Sequence, residues 1–202
     1  MAYHGYIPLV KQYIHQQVPK DQAPAVLEVG IDRGVTLLPL LVFMSRTREN
    51  FLLVGVDILI QEQVRVMMQH IDLIPSQQAF CVEGNSLEVL PKMIDQGMRF
   101  DVLLLDGDHN YHTVKQEMEH VDKLVKPGGI VICDDYDGRW ADRDLWYAER
   151  EGYEDNKLAT AKVDTEKHGV KPAIDEWLES HPEWQKAKPI GGEPILLMRK
   201  GI

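Results

Sequence analysis

The sequence predicts an α/β fold: a doubly wound sheet of about seven strands, mostly parallel, with a C-terminal antiparallel hairpin and helices on both faces. Three observations predict it. Short apolar runs alternate with segments of helical period, as βα repeats do. Turn residues mark each change of period, among them Gly30, Pro75, Gly97 and the pair Gly128 and Gly129. A chain of 202 residues with 44% hydrophobic content is also long enough for one domain with a core of its own.

The elements follow in order. Tyr6, Val10, Tyr13 and Ile14 recur at helical spacing and predict a leading helix that ends near Pro19. AVLEVG (25–30) reads as the first strand and VTLLPLLVFMSR (35–46) as its helix, with Pro39 confined to the first turn. FLLVGVD (51–57) is the second strand. Residues 60–74 set Ile60, Val64, Met67, Met68 and Ile71 on one face and stop before Pro75, which predicts a second helix. AFCVEG (79–84) is the third strand. Ser86 is a candidate cap for the next helix, whose regular part is expected to start close to Pro91 and to end near Gly97.

FDVLLLD (100–106) is the fourth strand. A helix from about Asn110 to Val125 puts Val114, Met118, Val121 and Val125 on one side and is stopped by KPGG (126–129). GIVICDD (129–135) is then the fifth strand. Residues 136–169 break the rhythm: they are charged, hold Trp140, Trp146, Tyr147 and Tyr153, and predict an insertion or lid. KPAIDEWLESHPEW (171–184) reads as a helix whose last turn precedes Pro182, and QKAKPIGGEPILLMRK (185–200) as two short strands around a Gly-Gly turn. One domain over 1–202 is expected, with the helical segment 1–20, carrying Tyr3, His4 and Tyr6, as a second lid.

Formal net charge is -10, from 22 Lys plus Arg against 32 Asp plus Glu, which disfavours nonspecific adhesion to nucleic acid or anionic membranes. Small molecules, cations or a basic partner fit better. Cys81 and Cys133 lie in apolar runs without CxxC or zinc spacing, so free thiols in a reducing compartment are expected. The N-terminal residues carry no signal-like or membrane-spanning stretch. A cytoplasmic location and a symmetric dimer are the corresponding expectations.

Site signals gather at the carboxyl ends of the strands, where open α/β sheets bind ligands. In VLEVGIDRGVT (26–36), Gly30 and Gly34 let the backbone approach a ligand and the following helix offers amide donors. The GxxxG spacing differs from the dinucleotide fingerprint GxGxxG, and a plain tight turn is equally compatible with it. Asp57 ends the second strand, where an acid accepts hydrogen bonds from both ribose hydroxyls; it could instead cap the next helix. Glu83, Asn85 and Ser86 could reach an adenine, or merely form a cap.

Asp106 ends the fourth strand within LLLDGDHNYH (103–112), and Asp134 and Asp135 end the fifth, about 4.8 Å away across a parallel pair. Three carboxylates so close repel one another and raise a pKa unless a cation intervenes. All-oxygen ligation favours Mg²⁺, with Mn²⁺ or Ca²⁺ as alternatives, over Zn²⁺. Solvated loop acids are the bland alternative, since Asp108 or Asn110 can cap the helix that follows.

Together, LEVGIDRGVT, Asp57, EGNSLEVLP, DVLLLDGDHNYHTVKQEMEHVDKLVKPGGIVICDD and the final hairpin resemble the Rossmann-like class I S-adenosylmethionine-dependent methyltransferases. The DGDHNY and DDY pair is similar to the metal-dependent O-methyltransferases, most closely the macrolide-sugar group around macrocin O-methyltransferase, and more distantly the catechol and caffeoyl-CoA enzymes. The resemblance covers residues 25–135 well and the tail loosely. It implies that Glu28, Gly30 and Gly34 shape the cofactor turn, that Asp57 holds the ribose, and that Asn85 or Ser86 sits near the adenine. Asp106, Asp134 and Asp135 would bind the metal, Asp106 also bordering the cofactor. The catechol branch has asparagine at the position of Asp135, whereas the sugar branch agrees with it. His109 matches a histidine proposed as general base, a role suited to a side chain whose reference pKa is about 6.5; a solvent-exposed histidine at the helix start is the alternative. A cation that holds the acceptor hydroxyl would acidify it, and two neighbouring hydroxyls would chelate better than one, which points to a sugar diol or a catechol.

Two other function classes remain open at this stage. An NAD-dependent oxidoreductase also uses a glycine turn and an acid after the second strand, although GxGxxG is absent and the acid cluster has no use there. A noncatalytic binding protein on the same fold is the other, against which stands the joint presence of Asp106, His109, Asp134 and Asp135.

Overall fold

The computed structural model describes residues 6–187 and 193–200. Its strands are β1 (Ala25–Val29), β2 (Phe51–Asp57), β3 (Gln77–Glu83), β4 (Phe100–Leu105), β5 (Val125–Cys133), β6 (Trp184–Lys186) and β7 (Ile195–Arg199). They form one seven-stranded sheet in the order β3-β2-β1-β4-β5-β7-β6. β1 to β5 pair in parallel, while β7 runs antiparallel to both β5 and β6. The chain leaves β1 towards β2 and β3 and returns on the other side through β4, so the switch point lies between β1 and β4.

Side chains alternate across the sheet with period two and feed two cores. Val102 and Leu104 of β4 join α1 (Tyr6–Gln17), α2 (Leu37–Thr47) and α3 (Glu62–Gln69) on one face. Leu103 and Leu105 join α4 (Ser86–Asp95), α5 (Tyr111–Met118), α6 (Val121–Leu124) and α7 (Val170–Ser180) on the other. Each of these leucines is at most 5% exposed, and burying one stabilises the fold by roughly 2 kcal/mol. The central strands are therefore hydrophobic throughout, and an acid among them stands out.

The structure revises several boundaries. The helix expected over Asn110–Val125 breaks at Glu119 and His120 into α5 and α6. KPGG lies inside β5 as a bulge: Val125 pairs with Phe100, Ile130 resumes with Val102, and Gly128 takes the left-handed φ of 81° that the detour needs. α4 runs through Pro91, held by its cap and by buried Val89, Leu90 and Met93. That cap is Asn85, whose side chain accepts from Leu87 N, and Ser86 is the first helical residue. α3 is shorter than its apolar stripe suggested, and α7 stops at Ser180, leaving Trp184 to begin β6. Tyr3, His4 and the Gly-Gly turn lie outside the described residues. Cys81 and Cys133 are both free thiols, and none of the described helices is long and apolar enough to cross a membrane.

Residues 136–169 hold a single 3-10 turn, Tyr147–Glu149, and one isolated β-bridge, His109 to Leu145. Side-chain hydrogen bonds bind the segment to the strand ends. Asn156 Nδ2 donates to Ile58 O (2.9 Å), and Asn85 Nδ2 donates to Leu158 O (2.9 Å) and Thr160 Oγ1 (3.1 Å). The insertion thus lies across the carboxyl edge of the sheet.

Candidate active site

The cleft begins where β1 ends. Gly30 has φ 87°, and a Cβ there would stand 2.0 Å from the Asp106 carbonyl oxygen, so the turn passes against the end of β4 as only glycine allows. Gly34 is also left-handed, at φ 75°, but it packs on Leu38 and Val64 and shapes the entry to α2 away from the cleft wall. Asp57 binds the turn from β2: one carboxylate oxygen accepts from Ile31 N (2.7 Å) and Asp32 N (2.9 Å), the other from Leu59 N (2.9 Å). A carboxylate offers about four lone-pair sites, which leaves Asp57 one for a ligand hydroxyl on the cleft wall it helps to form.

Asn85 and Ser86 border the same cleft, with Ile58, Asp106, Asp108, Tyr147, Tyr153 and Thr160. The Asn85 amide is committed to capping α4 and to holding the insertion, and the Ser86 hydroxyl bonds the buried Glu117 carboxyl. Glu83 turns away from the cleft and binds Ile60 N (2.9 Å) and Arg65 (2.6 Å). Asp108 accepts from Thr113 Oγ1 (3.1 Å), while Asn110 caps α5 through Thr113 N (2.8 Å).

The acids meet beside this cleft. Asp106, His109 and Asp134 each present a ligand atom, all within 4.8 Å of one another. His109 is buried between two carboxylates, with Nε2 3.7 Å from Asp106 and Nδ1 3.6 Å from Asp135. Asp135 adopts φ 53°, an uncommon conformation for a residue with a side chain, and lines the same cavity. Burial, then the carboxylates of Asp134, Glu28 and Asp135, push the Asp106 carboxyl well above the usual range. Glu28, under the cluster, is pushed up by burial and by Asp57, and its Oε2 is buried without a hydrogen-bond partner among the described residues. Asp134 Oδ1 is in the same position. Such a group of acids can hold a cation.

Tyr6, Tyr147 and Tyr153 reach the site without a motif to announce them. The first residue of α1, Tyr6 is 1% exposed, and burial with the charges of Asp106 and Asp134 keeps its phenol protonated beside Asp134. Tyr147 borders both the cleft beside Gly30 and Asp57 and the acidic cavity. A third cavity, of about 840 Å³, opens from His109, Asp32 and Tyr147 into the insertion. The aromatic content of 136–169 is the signal in the sequence that marks it.

A family model described as "Methyltransferase domain" matches residues 27–136, over half of the chain and all of the strand ends just described. The chain belongs to this methyltransferase family. It is an S-adenosylmethionine-dependent enzyme, which decides against the NAD-dependent oxidoreductase alternative. A search of curated protein sequences returns no match to the methyltransferase. Solved structures share its fold. A Corynebacterium glutamicum protein is 14% identical with a TM-score of 0.64, the alignment covering 100% of this chain and 83% of that one. CalS11, described as a TDP-rhamnose 3'-O-methyltransferase of calicheamicin biosynthesis, is 14% identical with a TM-score of 0.60 over 96% of this chain and 79% of its own. MycE of the mycinamycin pathway, solved with Mg, SAH and mycinamycin VI, is 16% identical with a TM-score of 0.56; 98% of the methyltransferase aligns with 50% of MycE. At these identities the likeness is one of fold.

Proposed function

We propose that the methyltransferase methylates a hydroxyl oxygen of a small molecule, a sugar diol or a catechol-like diol, with a divalent cation, Mg²⁺ for choice, held by Asp106, Asp134 and Asp135. The observation that carries this reading is the convergence of Asp106, Asp134 and His109 within 4.8 Å beside the cofactor cleft. The donor set fits a cation: Asp134 Oδ1 is buried without a hydrogen-bond partner among the described residues, and Asp106, raised first by burial and then by the carboxylates of Asp134, Glu28 and Asp135, is a group that a bound cation would favour in its charged form. The names of CalS11 and MycE, both from natural-product pathways and one crystallised with Mg, support the same reaction class.

When bound, S-adenosylmethionine supplies a sulfonium-activated methyl group, and a divalent cation supplies Lewis-acid polarisation of the acceptor hydroxyl. The protein does the rest by placement. Gly30, Asp57 and Ser86 hold the donor, Asp57 through the ribose. His109 takes the hydroxyl proton, its ring held between Asp106 and Asp135, whose carboxylates favour the protonated imidazole that this step forms. Tyr147 and the insertion exclude water from the junction of the cavities. Residues 136–169 act as the lid.

The test is transfer of labelled methyl from S-adenosylmethionine to a panel of sugar diols and catechols, with and without chelator. Expected is transfer to oxygen that chelator abolishes and Mg²⁺ restores. Transfer unaffected by chelator contradicts the cation site, and a labelled nitrogen or carbon product contradicts the acceptor class.

A further inference from the structure

We propose that the acceptor carries a phosphate group, bound by Arg139, Arg143 and Arg150 in the cavity that opens from His109. This rests on the methyl-transfer reading above and narrows its substrate. His109 and Arg139 line both this cavity and the one that holds Asp106, Asp134 and Asp135, and three arginines within twelve residues of the insertion form part of its wall.

None of the three makes an ion pair among the described residues, although the chain as a whole carries ten more acids than bases. The other basic side chains on this wall are engaged: Lys162 pairs with Glu149 at 3.0 Å and the His168 ring bonds Asp144 at 2.7 Å. Asp32 and Asp142 also line the cavity, and neither pairs with a guanidinium. Aromatic faces hold the arginines in place instead. Arg139 and Arg143 lie 4.7 Å and 5.3 Å from the Trp140 ring centroid, and Arg150 lies 5.2 Å from that of Tyr147. Arg143 Nε donates to Arg139 O, which fixes the spacing and leaves terminal guanidinium donors for a ligand.

A neutral diol has no use for three unpaired guanidiniums on one wall. A phosphate does: it takes two or more forked contacts and brings the charge that offsets mutual repulsion of the arginines. Bound there, its hydroxyl end extends past Trp140 and Tyr147 to His109. The phosphate chemistry could belong to a simple sugar phosphate or to a nucleoside diphosphate carrier.

Tryptophan fluorescence of the full chain, saturated with S-adenosylhomocysteine and titrated with inorganic pyrophosphate at constant ionic strength, tests this. Saturable binding is expected, weakened roughly tenfold or more in the double variant Arg143→Gln/Arg150→Gln. Pyrophosphate that fails to bind the wild type, or that binds the double variant as tightly, overturns the proposal. Glucose 1-phosphate and uridine diphosphate, titrated in the same way, separate the two sources by which binds more tightly. S-adenosylmethionine titrated into the same samples reads the cofactor independently. Its failure to bind the wild type defeats the methyl-transfer reading, whereas its binding without pyrophosphate binding defeats the phosphate alone.

Discussion

Replacing Gly30 by alanine sets a methyl carbon 2.0 Å from the Asp106 carbonyl oxygen at a φ of 87°, and neither backbone can move without opening the β1–β4 register. Gly30→Ala is expected to cost on the order of 3 kcal/mol, read from urea denaturation; an unchanged midpoint would show that the close approach is relaxed in solution. Gly138 makes a gentler test, because a Cβ there would meet the free end of a side chain, Asp135 Oδ1, at 2.0 Å. Gly138→Ala should keep the fold, displace that carboxylate and weaken cation affinity by roughly tenfold, as measured by Mn²⁺ titration. At this scale, the residues legible in the sequence were those at strand ends: Gly30, Asp57, Asp106 and Asp134 each interrupt an apolar run whose end is predictable. Tyr6 and Tyr147 were legible only as members of two expected lid segments and not as individual site residues, because a helix from one end of the chain and an insertion from the other bring them in through tertiary packing. The double engagement of Asn85 was hidden for the same reason: the cap is local, but Leu158 and Thr160 are over seventy residues away.

Among the elements, the strands and their order follow from apolar runs and turn residues, and the departures have local causes. KPGG looks like a helix stop, yet Gly128 and Gly129 let β5 start early and bulge, since Val125 has a buried pairing position opposite Phe100. Pro91 looked like a helix start, and the cap at Asn85 outweighed it. The insertion had no periodicity to read, because side-chain amides rather than a ladder fix it in place. Asn156→Ala removes the bond to Ile58 O and the support of Leu158 N, and should raise KM for S-adenosylmethionine about fivefold with little change in Tm. A Tm loss with unchanged KM would mean that the segment stabilises the fold and does not cover the cleft.

The molecule as a whole places its unpaid electrostatic cost along one edge of the sheet. That cost can be measured at Glu117, buried in α5, where burial pushes the carboxyl up to about 8, with the Ser86 hydroxyl opposing and Asp108 adding to the rise. The folded protein keeps a proton there that the unfolded chain releases above the ordinary value of 4.5. Stability from this site therefore falls as pH rises from about 4.5 to about 8 and is level beyond, by about 5 kcal/mol at most. Glu117→Gln should remove most of that slope, and denaturation midpoints at the two ends of the window would show it; a slope equal to wild type would mean that Glu117 is ionised in the fold. The acid cluster around Asp106 is the larger concentration of charge, and the proposed activity depends on it. The most direct measurement is Mn²⁺ binding followed by electron paramagnetic resonance in the wild type and in Asp134→Asn, with S-adenosylmethionine affinity measured alongside. One bound ion in the wild type, lost in Asp134→Asn while cofactor affinity persists, is the predicted result; no bound ion in the wild type, or equal binding by the variant, would contradict a cation at the heart of this site.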